Sequence, residues 1–121
     1  MPRVKAVNAY WNYSWGMQRV GAQPDNMEFL PMAWGAWKSS DLQADLEKYV
    51  VPQIKSGNVK RFLGFNEPDK SDQANMSYTD ALAYWPALES LKIPLCSPAC
   101  ANPEGIDDNS AQGVKGTWMR D

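Results

Sequence analysis

The sequence predicts an α/β fold in which parallel strands alternate with helices. Three observations carry the prediction. Short apolar runs recur along the 121 residues, two stretches between them repeat apolar residues every three or four positions, and the order is strand, helix, strand, helix, strand. Crossovers of that kind return right-handed to the next parallel strand.

The first run, VKAVNAYWNY over residues 4–13, mixes Val, Ala, Tyr and Trp in an extended pattern, and SWG punctuates it, so a strand and then a loop are expected. A second run, MEFLPMAWG over residues 27–35, contains Pro31, which predicts an interrupted strand. The first helix follows. Ser39 and Ser40 are candidate caps, Asp41 suits the positive end of the dipole, and Leu42, Leu46, Tyr49, Val50 and Ile54 share one face. Pro52 predicts a kink in the last turn, and Gly57 a stop.

Residues 61–65, RFLGF, are apolar on both faces, as expected of a strand covered by helices. The next helix opens at Ser77, with Asp80 three residues on as in a capping box, and Ala81, Leu82, Trp85, Leu88 and Leu91 form its apolar face. Pro86 marks a bend. IPLCS, residues 93–97, reads as a fourth strand, and GTWMRD at the end reads as the opening of another helix. A sheet of about four strands suits a small doubly wound domain, whereas an eight-stranded barrel needs about 250 residues. An ending in the first turn of a helix favours a partial fold over residues 1–121.

Composition narrows the chemistry. Twelve Lys and Arg against fourteen Asp and Glu give a net charge of −2, without the basic stripe that tracks a phosphate backbone, so nucleic acid is not an expected partner. No apolar run approaches the roughly 20 residues that cross a bilayer, and the opening MPRVKAVNAYW lacks the apolar centre of a signal peptide. A membrane partner is not expected, and secretion is not indicated by this stretch. The chain has no histidine, which removes Ser-His-Asp and Cys-His systems and the commonest catalytic zinc ligand. Carboxylates remain for acid–base work. Cys96 and Cys100 match no usual zinc or redox spacing and read as small, buried or half-buried residues.

The candidate site lies in FNEPD, residues 65–69. Residues that directly follow a parallel strand face the rim where such folds place their active sites, and Asn66 and Glu67 occupy that position. Apolar and aromatic walls disfavour the charged form of a carboxylate, the condition a general acid needs. An Asn beside it offers both a donor and an acceptor to a hydroxyl. Pro68 would stiffen the turn and Asp69 brace the loop. The same tetrapeptide also suits an ordinary capping turn.

Aromatic residues crowd the neighbouring segments: Tyr10, Trp11, Tyr13 and Trp15 near the first strand, Trp34 and Trp37 near the second. Flat rings beside polar groups accept the C–H face of a sugar while its rim of hydroxyls seeks hydrogen bonds. Trp34 and Trp15 are the first choices, with Tyr10 and Trp37 as further candidates. Trp85 and Trp118, at helical positions, read as packing residues. This pattern serves a hydrolase or a non-catalytic carbohydrate-binding protein equally.

The succession YWNYSWG, FLPMAWG, FLGFNEPDKSDQANM, LAYWPAL and LCSPA resembles glycoside hydrolase family 128, the Asl1-like glycosyl hydrolases, over nearly the whole chain. FLGFNEPD with Gln73, Ala74 and Asn75 is its specific part. The resemblance implies the N-terminal half of a (β/α)8 TIM barrel that cleaves β-1,3-glucans with retention through two glutamates. It makes Glu67 the acid/base, Asn66 a contact to the sugar at the scissile bond, and Trp34 and Trp15 part of the binding floor. It implies no metal or cofactor, a β-glucan polysaccharide or oligosaccharide as partner, and a secreted or cell-wall-associated setting. Related enzymes of the clan act on other polysaccharides, so the substrate has an alternative. Two departures stand out. The acid/base of this clan closes the fourth strand, whereas Glu67 follows the third one read here; either a strand near the start is missed or the first lies outside the chain. The nucleophile should come from a later strand, and Glu89 on a helix and Glu104 in a loop do not supply it, so the chain alone is expected to be inactive.

Overall fold

A computed structural model describes residues 3, 6–36, 41–102 and 118–119. Its strands are short: β1 (Trp11–Asn12), β2 (Glu28–Phe29), β3 (Phe62–Leu63) and β4 (Leu95–Cys96). All pairings are parallel, with Trp11 opposite Glu28 and Phe62 opposite Leu95, and a Met32–Leu63 bridge joins the two ribbons. Each strand therefore neighbours the next in sequence, β1-β2-β3-β4. A doubly wound sheet would reverse direction partway.

The first strand is shorter than expected. Val7 donates to the Arg3 carbonyl at 3.3 Å and Asn8 has φ 48°, so the chain turns helically before it extends at Trp11. Pro31 interrupts the second run as expected: it has no N–H to give a neighbour, but its carbonyl accepts the Leu63 N–H at 2.9 Å on the β3 side, while Leu30 and Met32 on either side of it donate to Asn12 and Gly16 of the first segment.

The first helix has three segments, α1 (Leu42–Asp45), a π turn (Leu46–Val50) and α2 (Val51–Lys55). Its described cap is Asp41, whose carboxylate accepts the Ala44 N–H at 3.0 Å; Ser39 and Ser40 lie outside the described residues. The kink expected at Pro52 takes the form of the wide turn just before it. Pro52 cannot donate to the Lys48 carbonyl, and the Val51 N–H reaches back five residues to Leu46 instead. Gly57, at φ 79°, ends the helix in a Schellman arrangement. Its N–H donates to Ile54 and that of Asn58 to Gln53, both at 3.0 Å.

Helix α3 (Tyr78–Glu89) starts at Ser77, whose hydroxyl accepts the Asp80 N–H at 2.9 Å. Pro86 lies on its exposed side and the helix runs through it. Tyr78, Ala81, Trp85 and Leu88 form the inward stripe, whereas Leu82, expected in the core, is 63% exposed. It stands one position round from Ala81, on a flank that nothing among the described residues covers.

Leu46, Val50, Phe62, Phe65 and Leu88 are fully buried and form the centre of the core, each contributing about 1.5–3 kcal/mol of burial. Trp118 is also buried and donates its indole N–H to the Met76 carbonyl at 2.7 Å, so the packing role read for it holds; the helix expected around it lies outside the described residues. No disulfide joins Cys96, which is exposed, to Cys100, which is half-buried. Among the described residues no helix is long and apolar enough to cross a membrane.

Candidate active site

The carboxyl ends of β2, β3 and β4 meet around residues 66 and 67. The Asn66 N–H donates to the Trp34 carbonyl at 3.0 Å on one side, and the Glu67 N–H donates to the Ala99 carbonyl at 2.8 Å on the other. Successive N–H groups thus bond opposite neighbours, as strand geometry requires. The main chain of Trp34, Asn66, Glu67 and Ala99 is consequently at one level of the sheet, and an Asn66–Ala99 bridge marks that level.

Gly64 permits this approach. A Cβ there would lie 2.8 Å from the Cys96 carbonyl oxygen and 3.0 Å from the Pro98 nitrogen, so only glycine lets β4 run this close.

Glu67 has φ 42°. For a residue that is neither Gly nor Asn this left-handed conformation costs about 1–2 kcal/mol, and it persists only where surrounding bonds hold it. Those bonds are the Ala99 carbonyl ahead and the Lys70 N–H, which donates to the Glu67 carbonyl at 3.1 Å. Pro68 behind it is fully buried. Glu67 itself is half-buried.

The Asn66 side chain is fixed as well. Its Nδ2 donates to Gln73 Oε1 at 3.0 Å, which orients the amide and leaves its oxygen as the acceptor. Gln73 belonged to the specific block read in the sequence, but its contact with Asn66 spans a turn whose path the sequence did not reveal. Asp69 braces the loop as expected. It is fully buried, and its two carboxylate oxygens accept the N–H groups of Ala101 and Asn102 at 2.9 and 2.8 Å.

The aromatic candidates divide. Trp34 is half-buried at the same level as Asn66. Trp15 lies in a bulge of the first strand: four steps from Asn12 to Gly16 oppose two from Leu30 to Met32, as their hydrogen bonds show. It has φ 54°, is 57% exposed, and its ring centroid is 4.7 Å from that of Tyr13. Tyr10 is not brought to this rim. It precedes β1, and its carbonyl accepts the Glu28 N–H at the start of β2. There it lines an open cavity with Glu28 and Arg61, which form an ion pair at 2.7 Å. The register separates Tyr10 from Asn66 by some six residues, about 20 Å along the strands. Trp37 lies outside the described residues. Trp85 packs edge-on to Phe65 with centroids 6.1 Å apart, a packing role as read. Among the described residues no three His, Cys, Asp or Glu side chains are grouped to hold a metal ion.

Such a rim brings together a glutamate on a fixed backbone, an oriented amide and two tryptophan-bearing segments. That set suits proton transfer to a polyhydroxylated molecule.

Comparison with known proteins agrees in kind. The family model described as "Glycosyl hydrolase catalytic core" matches residues 3–121. No curated protein matches the chain. Among solved structures, an endo-β-1,3-glucanase of family 128, subgroup I, from Amycolatopsis mediterranei, a glutamate-to-alanine variant in complex with laminaripentaose, is 30% identical with a TM-score of 0.70. The match covers 98% of this chain and 43% of that one. A subgroup II endo-β-1,3-glucanase from Sorangium cellulosum is 28% identical, TM-score 0.61, over 85% of this chain and 44% of its own. A subgroup III curdlan-specific exo-β-1,3-glucanase from Blastomyces gilchristii, in complex with glucose, is 34% identical, TM-score 0.55, over 73% and 37%. The chain thus spans about two fifths of the length of the structures it matches.

Proposed function

Because the chain belongs to the glycosyl hydrolase catalytic core family, we propose that it forms the N-terminal part, residues 1–121, of a retaining β-1,3-glucanase built on a (β/α)8 barrel. The sequential parallel order β1-β2-β3-β4 supports the barrel, since it is the order a closing (β/α) sheet repeats. The nature of the relatives supports the substrate: glutamate variants of the Amycolatopsis enzyme at two positions are in complex with laminari-oligosaccharides.

One observation carries the assignment of Glu67: a carboxylate residue is held in a costly backbone conformation at the carboxyl end of a parallel strand, beside an amide of fixed orientation. Glu67 gives its proton to the glycosidic oxygen as a second glutamate attacks the anomeric carbon and the aglycone leaves. It then takes a proton from the water that releases the glycosyl-enzyme. Asn66 accepts or donates to a hydroxyl of the sugar at the bond being cut, with Trp34 and Trp15 under the rings.

The nucleophile must approach to about 5–5.5 Å of Glu67. Glu89 is exposed at the end of α3 and Glu104 belongs to the segment after SPA, so the second glutamate is assigned to sequence outside residues 1–121, and this stretch alone does not turn over glucan. In the complete reading frame, Glu67→Gln lowers turnover of laminarin by about 10²- to 10⁴-fold with an unchanged circular dichroism spectrum. Near-normal turnover removes the assignment.

A further inference from the structure

We propose that Asp69 is a positioning residue for the acid/base, acting through the segment that follows β4. The inference rests on the acid/base reading of Glu67. Four hydrogen bonds join residues 65–69 to residues 99–102. Ala99 donates to the Phe65 carbonyl at 3.0 Å and accepts from Glu67 at 2.8 Å; two residues further on, Ala101 and Asn102 donate to Asp69. The carbonyl that fixes Glu67 therefore sits between a strand rung and a buried carboxylate clamp.

Asp69 reaches 32 and 33 residues along the chain to make that clamp, and it is fully buried. A charge-bearing side chain in such a place is costly unless bonded, and a loop brace alone could be built from an apolar contact. Both Asp69 oxygens act as acceptors. An amide supplies one acceptor and puts an NH2 against the other N–H, so Asn cannot reproduce the clamp although it fills the same space. With one rung lost, residues 99–102 are free to shift, the Ala99 carbonyl moves off the Glu67 N–H, and Glu67 can leave its left-handed conformation.

A positioning defect has a signature that general destabilisation lacks. A misplaced acid matters when the leaving group must be protonated and not when it departs as an anion. In the complete reading frame, Asp69→Asn lowers kcat/KM for laminari-oligosaccharides about 10- to 100-fold and changes kcat/KM, which reports the first step alone, for a dinitrophenyl β-laminarioside by less than about threefold. Ala101→Pro removes one donor of the clamp from the opposite side and gives the same selective loss, which keeps the proposal open to test if Asp69→Asn does not fold. Equal losses on the two substrates, or none on either, overturn the positioning role. Should Glu67→Gln itself leave the two substrates equally affected, the acid/base reading fails and the proposal with it.

Discussion

Substituting Gly64 by Ala tests how tightly β3 and β4 must approach. The added Cβ would lie 2.8 Å from the Cys96 oxygen, 3.0 Å from the Pro98 nitrogen and 3.2 Å from the Ser97 carbonyl carbon, all of them backbone atoms. An ordinary carbon–oxygen contact is about 3.3–3.6 Å, so β4 has to retreat by roughly half an ångström. The retreat stretches the Gly64–Cys96 hydrogen bond, already 3.2 Å, and is passed on to the Glu67–Ala99 bond. Gly64 is not among the glycines with positive φ, so the cost is spatial and not conformational. Overpacking of this kind costs about 1–3 kcal/mol, while Ala in place of Gly gains about 0.4–1 kcal/mol through the unfolded chain. At the centre of these ranges the net is a loss of about 1.3 kcal/mol, a roughly tenfold change in the folded-to-unfolded ratio. Urea unfolding of the complete reading frame, followed by tryptophan fluorescence, reads it as a lower midpoint at constant slope. A midpoint equal to or above that of the parent refutes the close-approach reasoning, because only the unfolded-state gain would then remain.

Three further outcomes are expected. Asp41→Ala removes the cap on α1 and costs about 1 kcal/mol by urea unfolding. Trp118→Phe keeps the ring but orphans the Met76 carbonyl, and a loss of about 1–3 kcal/mol in the same assay separates a bonded indole from simple packing. Trp34→Ala, placed in a Glu67→Gln background to prevent turnover, weakens calorimetric binding of laminaripentaose about tenfold, whereas Tyr10→Ala, at the other end of the strands, leaves it unchanged.

What was legible in the sequence was local. Ser77 with Asp80 and Gly57 as a stop depend on neighbours within a few residues and occur as read, and each of the four apolar runs holds a strand, though one of only two residues. Glu67 could be placed because a strand's end is marked by the loss of its apolar run. The misread positions depended on registers and coverings that no window shows. Tyr10 seemed to belong with Trp15 because the two are five residues apart, yet the strand between them carries them to different ends of the sheet. Leu82 satisfied the helical period, but only packing decides which flank is covered. The start of the first run had strand-like composition, and the turn closed by the Val7–Arg3 hydrogen bond and the left-handed Asn8 overrode it. The grip of Asp69 on Ala101 and Asn102 joins segments more than thirty residues apart, and neither segment advertises the other.

Residues 66 and 67 are moored to different neighbours, one to port and one to starboard. This stretch can neither slide nor peel away without breaking rungs on both flanks. An incoming ligand therefore meets a fixed mast with one swinging arm, and any fine adjustment to its shape falls to the side-chain torsions of Glu67 and to the loops that carry the indoles.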